Sequence, residues 1–346
     1  FVVILFLPSS FSYTLENEKN SFASIFKMDA SDSAWVENEF LKLSQREKCA
    51  QMIFANVWSR GIDTASKYYR EVLELVTKQK VGGIIYSIGK IQEQVKLTNT
   101  LQSLSQIPLM ISADYERGLG MRLSDAVEFP YNMAFAAAGD TRLSYYAGKA
   151  TAIEARAIGV HQNYAPIVDV NHDYRNPIIN VRSYSEDPLE IAYHSAAYIR
   201  GLHEGNMISS VKHFPGHGAT DLDSHKGLPV INSTKEEFEK SDLVPFRLAV
   251  KSGVKSVMIG HLQVPAYEDK EGMPATFSEK IVNGLLRKKL GFDGLVVTDA
   301  MNMLAVVDNF STYEAMKMAV NAGNDIIIYP PNVEEAINAL DSAVTN

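Results

Sequence analysis

The stretch that decides the fold is the run Met207-Ile208-Ser209-Ser210-Val211, which leads directly into Lys212-His213-Phe214-Pro215-Gly216-His217-Gly218. The apolar first part predicts a short buried strand. The second part, followed closely by Asp221, Asp223 and His225, crowds titratable side chains between glycines and a proline. A solvated loop does not need such a density of titratable groups. The segment therefore predicts chemistry at the carboxyl end of a strand.

Similar apolar runs recur along the chain, and segments with helical spacing lie between them. Besides the run 208–213, the predicted strands are 51–57, 81–86, 109–114, 160–164, 256–261, 294–299 and 325–329. Helical spacing is evident over 143–158 and 189–204. Strands that alternate with helices favour parallel pairing through right-handed crossovers.

The number of these units indicates how the sheet is organised. Eight β/α units in roughly 300 residues match a closed barrel better than an open doubly wound sheet. No glycine-rich phosphate loop, which the doubly wound alternative would favour, follows the first predicted strand. We therefore predict an α/β fold, a single TIM-like (β/α)8 barrel with its active site at the C-terminal face of the strands.

Composition limits the classes of function. A chain of 346 residues, 46% of them hydrophobic, can bury a large core. The formal net charge of −8 is not offset by a basic block, so a nucleic-acid partner is not expected. Cys49 is the only cysteine, so an internal disulfide is impossible and a cysteine-ligated metal centre would lack ligands. We expect no cofactor, and the oligomeric state stays open.

The first residues carry a separate expectation. Residues 1–7 are apolar but too few to span a bilayer, so stable membrane insertion is not expected. Residues 1–12 are typical of the end of a secretory signal, with Ser10-Phe11-Ser12 as a small-x-small cleavage site. We expect an exported protein, periplasmic or extracellular, with a polar linker over 13–35 and the barrel over 36–346. The alternative is a buried N-terminal strand in a cytoplasmic protein.

Polar residues end several of the predicted strands. They are Asp114, His213, His261 and Asp299. The C-terminal strand ends are where barrel enzymes keep their chemistry. Any one of these side chains alone is about as often a satisfied structural group as a catalytic one. Their shared position at one rim favours an active site.

Several motifs resemble the β-N-acetylglucosaminidases of glycoside hydrolase family 3, of the bacterial peptidoglycan-recycling type. The most specific is the string 212–218 with Asp223-Ser224-His225 behind it. Supporting matches are Asn163-Tyr164-Ala165-Pro166-Ile167-Val168-Asp169-Val170, Arg182-Ser183-Tyr184-Ser185-Glu186-Asp187-Pro188 and Val297-Thr298-Asp299-Ala300-Met301. The resemblance extends from about Leu43 to Asp325 and therefore covers most of the chain.

The resemblance implies a role for each matching catalytic residue. Asp299, at the end of an apolar strand that would hold it rigidly, is the expected nucleophile of a retaining glycosidase. His225 takes the acid/base role that a carboxylic acid usually fills, and Asp223 orients its ring. An imidazole titrates near pH 6.5 and so can donate and recover a proton near neutrality.

The remaining polar residues are expected to bind the terminal sugar. By resemblance, Asp114 accepts from its hydroxyls, and Arg182, Lys212 and His213 donate to hydroxyls or to the acetamido carbonyl. A sugar in a pocket requires such convergent donors and acceptors. Arg122 is a further candidate, for which a structural ion pair with Asp114 or Glu116 is the alternative. His217 and His261 are expected to shape the loop and support the site rather than act on the substrate.

The sequence also departs from the family pattern. Where many members have D-x-E-G-G-R-V-x-R, this chain has Arg117 in place of a glycine and Leu119 in place of an arginine. Ala300 follows the expected nucleophile where many members carry a second aspartate. These changes make substrate length and aglycone preference the least defined features.

The expected function is that of a retaining exo-β-N-acetylglucosaminidase. Its partner would be a carbohydrate substrate, a GlcNAc-containing oligosaccharide from peptidoglycan or chitin. One alternative is a metal-dependent amidohydrolase-like barrel in which His213, His217, His225 and Asp299 bind Zn²⁺. The other is a catalytically silent sugar-binding protein on the same fold.

Overall fold

The computed structural model describes residues 30–220 and 227–345. Within them the chain forms eight parallel strands, joined in the order β7-β6-β5-β4-β3-β2-β1-β8. Their bounds are β1 Ile53–Val57, β2 Gly83–Tyr86, β3 Met110–Ala113, β4 Gln162–Asn163, β5 Ile208–Phe214, β6 Ser256–Ile259, β7 Leu295–Thr298 and β8 Ile327–Ile328. The strands lie inside the predicted runs, apart from β5, which extends one residue further.

Contacts between β7 and the segment that enters β8 close the sheet on itself. Val297 and Ile326 form a parallel bridge, and the Thr298 amide donates to the Ile326 carbonyl at 3.0 Å. The Met301 amide donates to the Ile328 carbonyl at 3.0 Å. The predicted single (β/α)8 barrel is therefore confirmed.

Helices follow the strands and cover the outside of the barrel. They are α1 Ala30–Lys42, α2 Gln45–Gln51, α3 Lys67–Thr77, α4 Ile91–Leu104, α5 Asn132–Ala137, α6 Thr141–Ala157, α7 Pro188–Glu204, α8 Lys235–Lys240, α9 Leu243–Lys251, α10 Lys280–Lys289 (with π-type bonding), α11 Leu304–Val307, α12 Thr312–Ala322 and α13 Val333–Thr345. Three-residue 3-10 turns occupy Leu119–Met121, Asn180–Arg182 and Ala275–Phe277.

Local sequence explains where several helices begin. Ser44 and Glu47 form a reciprocal capping box at the start of α2, and Ser311 and Glu314 do the same at α12. Asp187 caps α7, whose first residue is Pro188, a position where the missing proline N–H costs no helical hydrogen bond.

Alternation along each strand separates two layers of core. Phe54, Ile85, Met258 and Val297 belong to one buried cluster that fills the barrel interior. Their strand neighbours, such as Ile53 and Ile84 in the largest cluster, pack outwards against the helices. Because side chains alternate, every second residue towards the carboxyl end of a strand faces the mouth of the barrel. This periodicity positions the functional side chains.

The structure describes only part of the N-terminal region for which the sequence predicts a signal remnant and a linker. The expected signal remnant and most of the expected linker, residues 1–29, lie outside the described residues. Helix α1 begins at Ala30, inside the stretch expected to be a linker, and none of its residues is buried. Among the helices of the described ranges, none combines the length and apolar character that a membrane crossing requires.

Candidate active site

A cavity of about 400 Å³ opens at the carboxyl ends of the strands. It collects every described residue that the sequence analysis expected in catalysis or sugar binding. The polar lining consists of Asp114, Glu116, Arg122, Arg182, Lys212, His213, Asn302, Asp299 and Tyr329. The apolar lining consists of Met121, Ile178, Met258, Ala300, Met303 and Ile328. Asp223 and His225 lie outside the described residues.

One wall of the cavity is a network of paired charges. Lys212 Nζ lies 2.9 Å from Asp114 Oδ1 and 2.8 Å from Glu116 Oε1. Arg182 donates to both oxygens of Glu116, at 3.1 Å from Nε and 2.8 Å from Nη2. Arg122 Nη2 donates to Asp114 Oδ2 at 3.0 Å. The ion pair considered as the alternative for Arg122 is thus formed, yet Arg122 also lines the cavity.

This network leaves donors for a ligand. The third Arg182 nitrogen, Nη1, donates to the Ile178 carbonyl at 2.9 Å, which fixes the plane of the guanidinium. A guanidinium has five N–H groups and an ammonium three, so Arg182 and Lys212 each keep at least one N–H beyond these contacts. Both cations are therefore held in place and still have N–H groups that can donate to a ligand.

The carboxylates of the network are ionised. Burial alone would raise the pKa of Glu116, but the charges and hydrogen bonds of Arg182 and Lys212 outweigh it and hold that pKa well below its usual range. Burial would also raise the pKa of Asp114, but the charges of Lys212 and Arg122 outweigh it, so that pKa is lowered. Asp114 is accordingly a hydrogen-bond acceptor only.

Asp299 follows β7 directly and lies in the cavity. Its amide donates to the Ile259 carbonyl at 3.0 Å, and its Oδ1 accepts from the Ala300 amide at 2.7 Å. Burial would raise its pKa, but His213, His261 and the Ala300 amide together lower it. The carboxylate is therefore ionised, and it is held in place by the hydrogen bonds of its own amide and of the Ala300 amide.

His213 is oriented from behind by a fully buried carboxylate, Asp169. The His213 ring nitrogen Nδ1 lies 2.8 Å from Asp169 Oδ2, so Nδ1 carries the donated proton. Asp169 also accepts from the amides of His213, at 3.1 Å, and His217, at 2.8 Å. These neighbours lower the pKa of Asp169 although its burial would raise it. Asp169 thus fixes both the ring and the backbone of the histidine string.

His217 and His261 are buried and are not among the residues that line the cavity. His217 is buried, and its ring meets that of His213 edge to face at 5.7 Å between centroids. Burial lowers the pKa of His217 to about 4, so its ring is neutral at neutral pH. His261 contacts the loop after β7, with Nε2 3.1 Å from the Ala300 carbonyl and Nδ1 2.8 Å from Thr276 Oγ1.

Asn176 joins the loop after β4 to the loop after β5. Its Nδ2 donates to the carbonyls of His217 and Gly218, both at 3.1 Å. Its Oδ1 accepts from the amides of Ile178 and Ile179 at 2.9 and 2.8 Å. A Cβ on Gly218 would lie 1.5 Å from the Val170 carbonyl oxygen, so only glycine permits this approach. The two loops are therefore locked together.

The departures from the family pattern fall away from the cavity, with one exception. Arg117 points to Glu128, at 2.6 Å, and lies over the Tyr131 ring at 4.1 Å. Leu119 is buried in the largest core cluster. Ala300 does line the cavity. Arg117 and Leu119 therefore act on the shape of the loop after β3 and not on the cavity surface.

Sequence reasoning did not select Glu116, Asp169, Asn176 or Tyr329 as site residues. Glu116 and Asp169 stand inside the motifs that carry the family resemblance, which is the signal in the sequence that could have found them; their burial beside Arg182 and His213 is evident only in the folded chain. As for the metal alternative, no group of three or more His, Cys, Asp or Glu suited to a metal ion occurs in residues 30–220 and 227–345. His225, one of the residues considered as a ligand, is not among them.

A closed parallel barrel with an ionised aspartate at the end of β7 and paired charges around one cavity at the carboxyl ends of the strands is the arrangement of a (β/α)8 barrel enzyme. The chain belongs to glycoside hydrolase family 3: the family model described as "Glycosyl hydrolase family 3 N terminal domain" matches residues 44–346.

Named relatives agree with this membership. The chain is 31% identical over 322 residues to a Beta-N-acetylglucosaminidase/beta-glucosidase of Cellulomonas fimi, covering 90% of this chain and 56% of the relative. It is 32% identical over 284 residues to a Beta-hexosaminidase of Haemophilus influenzae, covering 79% of each.

A solved structure gives the same result. The glycoside hydrolase family 3 beta-N-acetylglucosaminidase from Paenibacillus sp. str. FPU-7 superposes with a TM-score of 0.81 at 37% identity, covering 88% of this chain and 58% of that one. The chain thus spans little more than half the length of this structure and of the Cellulomonas fimi relative.

Proposed function

We propose that this chain carries the active site of a retaining exo-β-N-acetylglucosaminidase that hydrolyses terminal β-linked GlcNAc through a glycosyl-enzyme intermediate. The observation that carries the proposal is the cavity itself: its volume suits one sugar ring, and Asp299 and the paired charges converge on it. The names of the relatives, β-N-acetylglucosaminidase and β-hexosaminidase, support the same activity.

In this proposal Asp299 attacks the anomeric carbon of the terminal sugar. The C1–O bond to the leaving group breaks while a new bond forms between C1 and the aspartate oxygen. The ionised state of Asp299 and its backbone support favour this role. Water then attacks C1 in the second step and releases GlcNAc, which restores the carboxylate.

Proton transfer is assigned to His225. It donates a proton to the departing glycosidic oxygen in the first step and takes one from the attacking water in the second. Asp223, two residues away, would orient the ring and favour its charged form. Family membership and the Asp223-Ser224-His225 sequence support this assignment.

The charged wall of the cavity would bind the sugar hydroxyls and the acetamido group. Asp114 offers carboxylate acceptors, and Arg182, Lys212 and His213 offer donors. Because the ion pairs hold these side chains before a ligand arrives, binding requires little reordering. Two sources of terminal GlcNAc suit the site: peptidoglycan fragments that end in anhydroMurNAc, and chitooligosaccharides.

The test begins with release of GlcNAc from an aryl β-GlcNAc glycoside and continues with muropeptides and chitooligosaccharides. Asp299→Asn should abolish turnover while leaving the fold intact. Asp293→Asn is the matched control, since Asp293 is exposed and precedes the same strand at the opposite end of the barrel. Near-normal rates for Asp299→Asn would exclude the covalent role. A fluorinated GlcNAc donor should label the peptide that contains Asp299, as seen by mass spectrometry.

A second comparison tests the acid/base assignment. His225→Ala should slow the hydrolysis of glycosides with poor leaving groups far more than that of activated aryl glycosides, because only the former need protonation. Equal losses for both substrate types would remove His225 from this role.

A further inference from the structure

An exposed aromatic platform, made by Trp58 and Tyr68, follows strand β1 at the carboxyl end of the barrel. Trp58 follows β1 immediately and is 48% exposed. Its ring stacks on Tyr68 with centroids 5.1 Å apart and planes inclined by 30°. The Tyr68 hydroxyl also contacts the Trp58 amide at 2.9 Å and carbonyl at 3.0 Å. One face of the indole is therefore covered and its backbone anchored, while much of the side chain remains open to solvent.

A chain of hydrogen bonds connects this platform with the cavity wall. Ser87 Oγ donates to Asn56 Oδ1 at 2.5 Å and lies 2.8 Å from the hydroxyl of Tyr329, which lines the cavity. Since the Ser87 proton is directed at Asn56, the Tyr329 hydroxyl is the donor in the second bond. The Ser87 amide donates to the carbonyl of Val57, the residue before Trp58, at 2.9 Å.

Asn56 presents a free amide group at this place. Phe54, two residues earlier on β1, packs in the barrel interior, so Asn56 faces the mouth by alternation. Asn56 is exposed, and within the described part of the chain its Nδ2 forms no hydrogen bond. The bond from Ser87 to Oδ1 fixes the amide with Nδ2 available as a donor.

Tyr329 adds an independent sign of function. Its φ is +52°, a left-handed conformation that residues other than glycine rarely adopt. Such strain persists where the surroundings impose it, commonly at binding sites. Tyr329 lines the cavity, and its hydroxyl contacts Ser87 in the chain of hydrogen bonds that leads to Asn56.

We propose that Trp58 and Asn56 form an accessory subsite that binds a second sugar unit of an oligosaccharide whose terminal unit occupies the cavity. A pyranose presents C–H groups on its faces and hydroxyls on its edge, which match an indole face next to an amide donor. This inference rests on the proposed function, because it takes the ligand of the cavity to be a terminal sugar.

The kinetic test compares substrates with and without a second sugar. For each variant we would measure kcat/KM for the GlcNAc trisaccharide and for an aryl β-GlcNAc glycoside. In Trp58→Ala the ratio of trisaccharide to aryl glycoside should fall about tenfold, a loss common when an aromatic contact is truncated. Trp58→Phe should restore much of it. Tyr193→Ala, which removes a 63% exposed tyrosine from α7, is the matched control and should leave the ratio unchanged.

A binding measurement gives a second readout. The chain has two tryptophans, Trp35 and Trp58, so Trp35→Phe combined with Asp299→Asn leaves Trp58 as the only indole in a protein that should not turn over. The trisaccharide should protect Trp58 fluorescence from acrylamide quenching, and free GlcNAc should not.

The outcomes separate this inference from the proposed function. An unchanged kinetic ratio in Trp58→Ala, or equal quenching with trisaccharide and with GlcNAc, overturns the subsite even if the wild type releases GlcNAc normally. Failure of the wild type to release GlcNAc from any substrate overturns the proposed function first, and the subsite with it.

Discussion

Replacing Glu116 with glutamine tests whether the charged wall of the cavity is held together by this one carboxylate. The side chain of Glu116 is only 5% exposed, and it contacts both Arg182 and Lys212. Glutamine keeps the volume and one acceptor oxygen but removes the negative charge. Asp114, Glu116 and Asp299 now face Arg122, Arg182 and Lys212, so the substitution leaves one buried positive charge without compensation.

The cost follows from that imbalance. Removing one partner of a buried ion pair destabilises a protein by about 3–5 kcal/mol, and we expect about 3 kcal/mol because glutamine still accepts one hydrogen bond. Displaced cations should also lower kcat/KM for an aryl β-GlcNAc glycoside by about a hundredfold, as a shift of about 1 Å in positioning groups can.

The dependence on pH has a defined sign. The pKa of Glu116 is lowered in the folded chain, so its contribution to stability is present above the pKa of an unfolded glutamate, about 4.3. That contribution is lost as the pH falls through the lower folded pKa. The difference in free energy of unfolding between the wild type and Glu116→Gln should therefore be largest near neutrality and shrink in acid.

Urea unfolding at several pH values measures this difference, and steady-state kinetics measure the activity. Glu128→Gln is the matched control, because Glu128 pairs with Arg117 with its side chain 45% exposed. Exposed pairs contribute at most about 1 kcal/mol. A loss in Glu116→Gln no larger than that of the control would refute the reasoning.

Other substitutions test separate parts of the structure. Asp169→Asn should lower kcat by about a hundredfold and the free energy of unfolding by about 3 kcal/mol, because His213 loses the carboxylate that orients it. Steady-state kinetics and urea unfolding measure the two effects, and a normal kcat would contradict this role of Asp169. Arg117→Ala should change kcat/KM less than about twofold and stability by at most about 1 kcal/mol, since Arg117 lies outside the cavity wall; a larger kinetic change would place it in the site. His203 is buried, and burial lowers its pKa to about 4. Above about pH 6.5 the ring is neutral in both the folded and the unfolded chain, and as the pH falls from there towards 4 the unfolded chain alone gains the proton, so the free energy of unfolding decreases. His203→Gln should reduce the loss of unfolding free energy between pH 7.5 and 5 by about 2 kcal/mol, and an unchanged loss would show that burial does not hold the ring neutral.

The barrel was predictable because its strands are short apolar runs bounded by polar residues. β2, Gly83–Tyr86, is buried along its whole length and could be read directly from the sequence. The ends of the strands were harder to predict than their positions: the predicted strand 160–164 contains only two residues of strand β4, Gln162 and Asn163. Pairing depends on where neighbouring strands run parallel within hydrogen-bonding distance, which the composition of one strand does not determine.

The site was predictable where it depends on strand ends and hidden where it depends on contacts between distant segments. Asp114, His213 and Asp299 could be placed at one rim because parallel strands end together. Glu116 meets Arg182 across 66 residues of chain, and Asp169 meets His213 across 44. Within a motif such a carboxylate is one letter among several, whereas its importance comes from burial beside the side chains that it pairs with in the folded chain. The roles of Asp223 and His225 stay predictions, because these residues lie outside the described ranges.

The joint that Asn176 makes between two loops has a practical consequence for protein engineering. Its amide bonds to the carbonyls of His217 and Gly218 on one side and to the amides of Ile178 and Ile179 on the other. Exchanging either loop alone with that of a homologue would break the hydrogen bonds that join the two loops. Chimeras designed to alter specificity should therefore transplant residues 170–182 and 212–220 together, as one cassette.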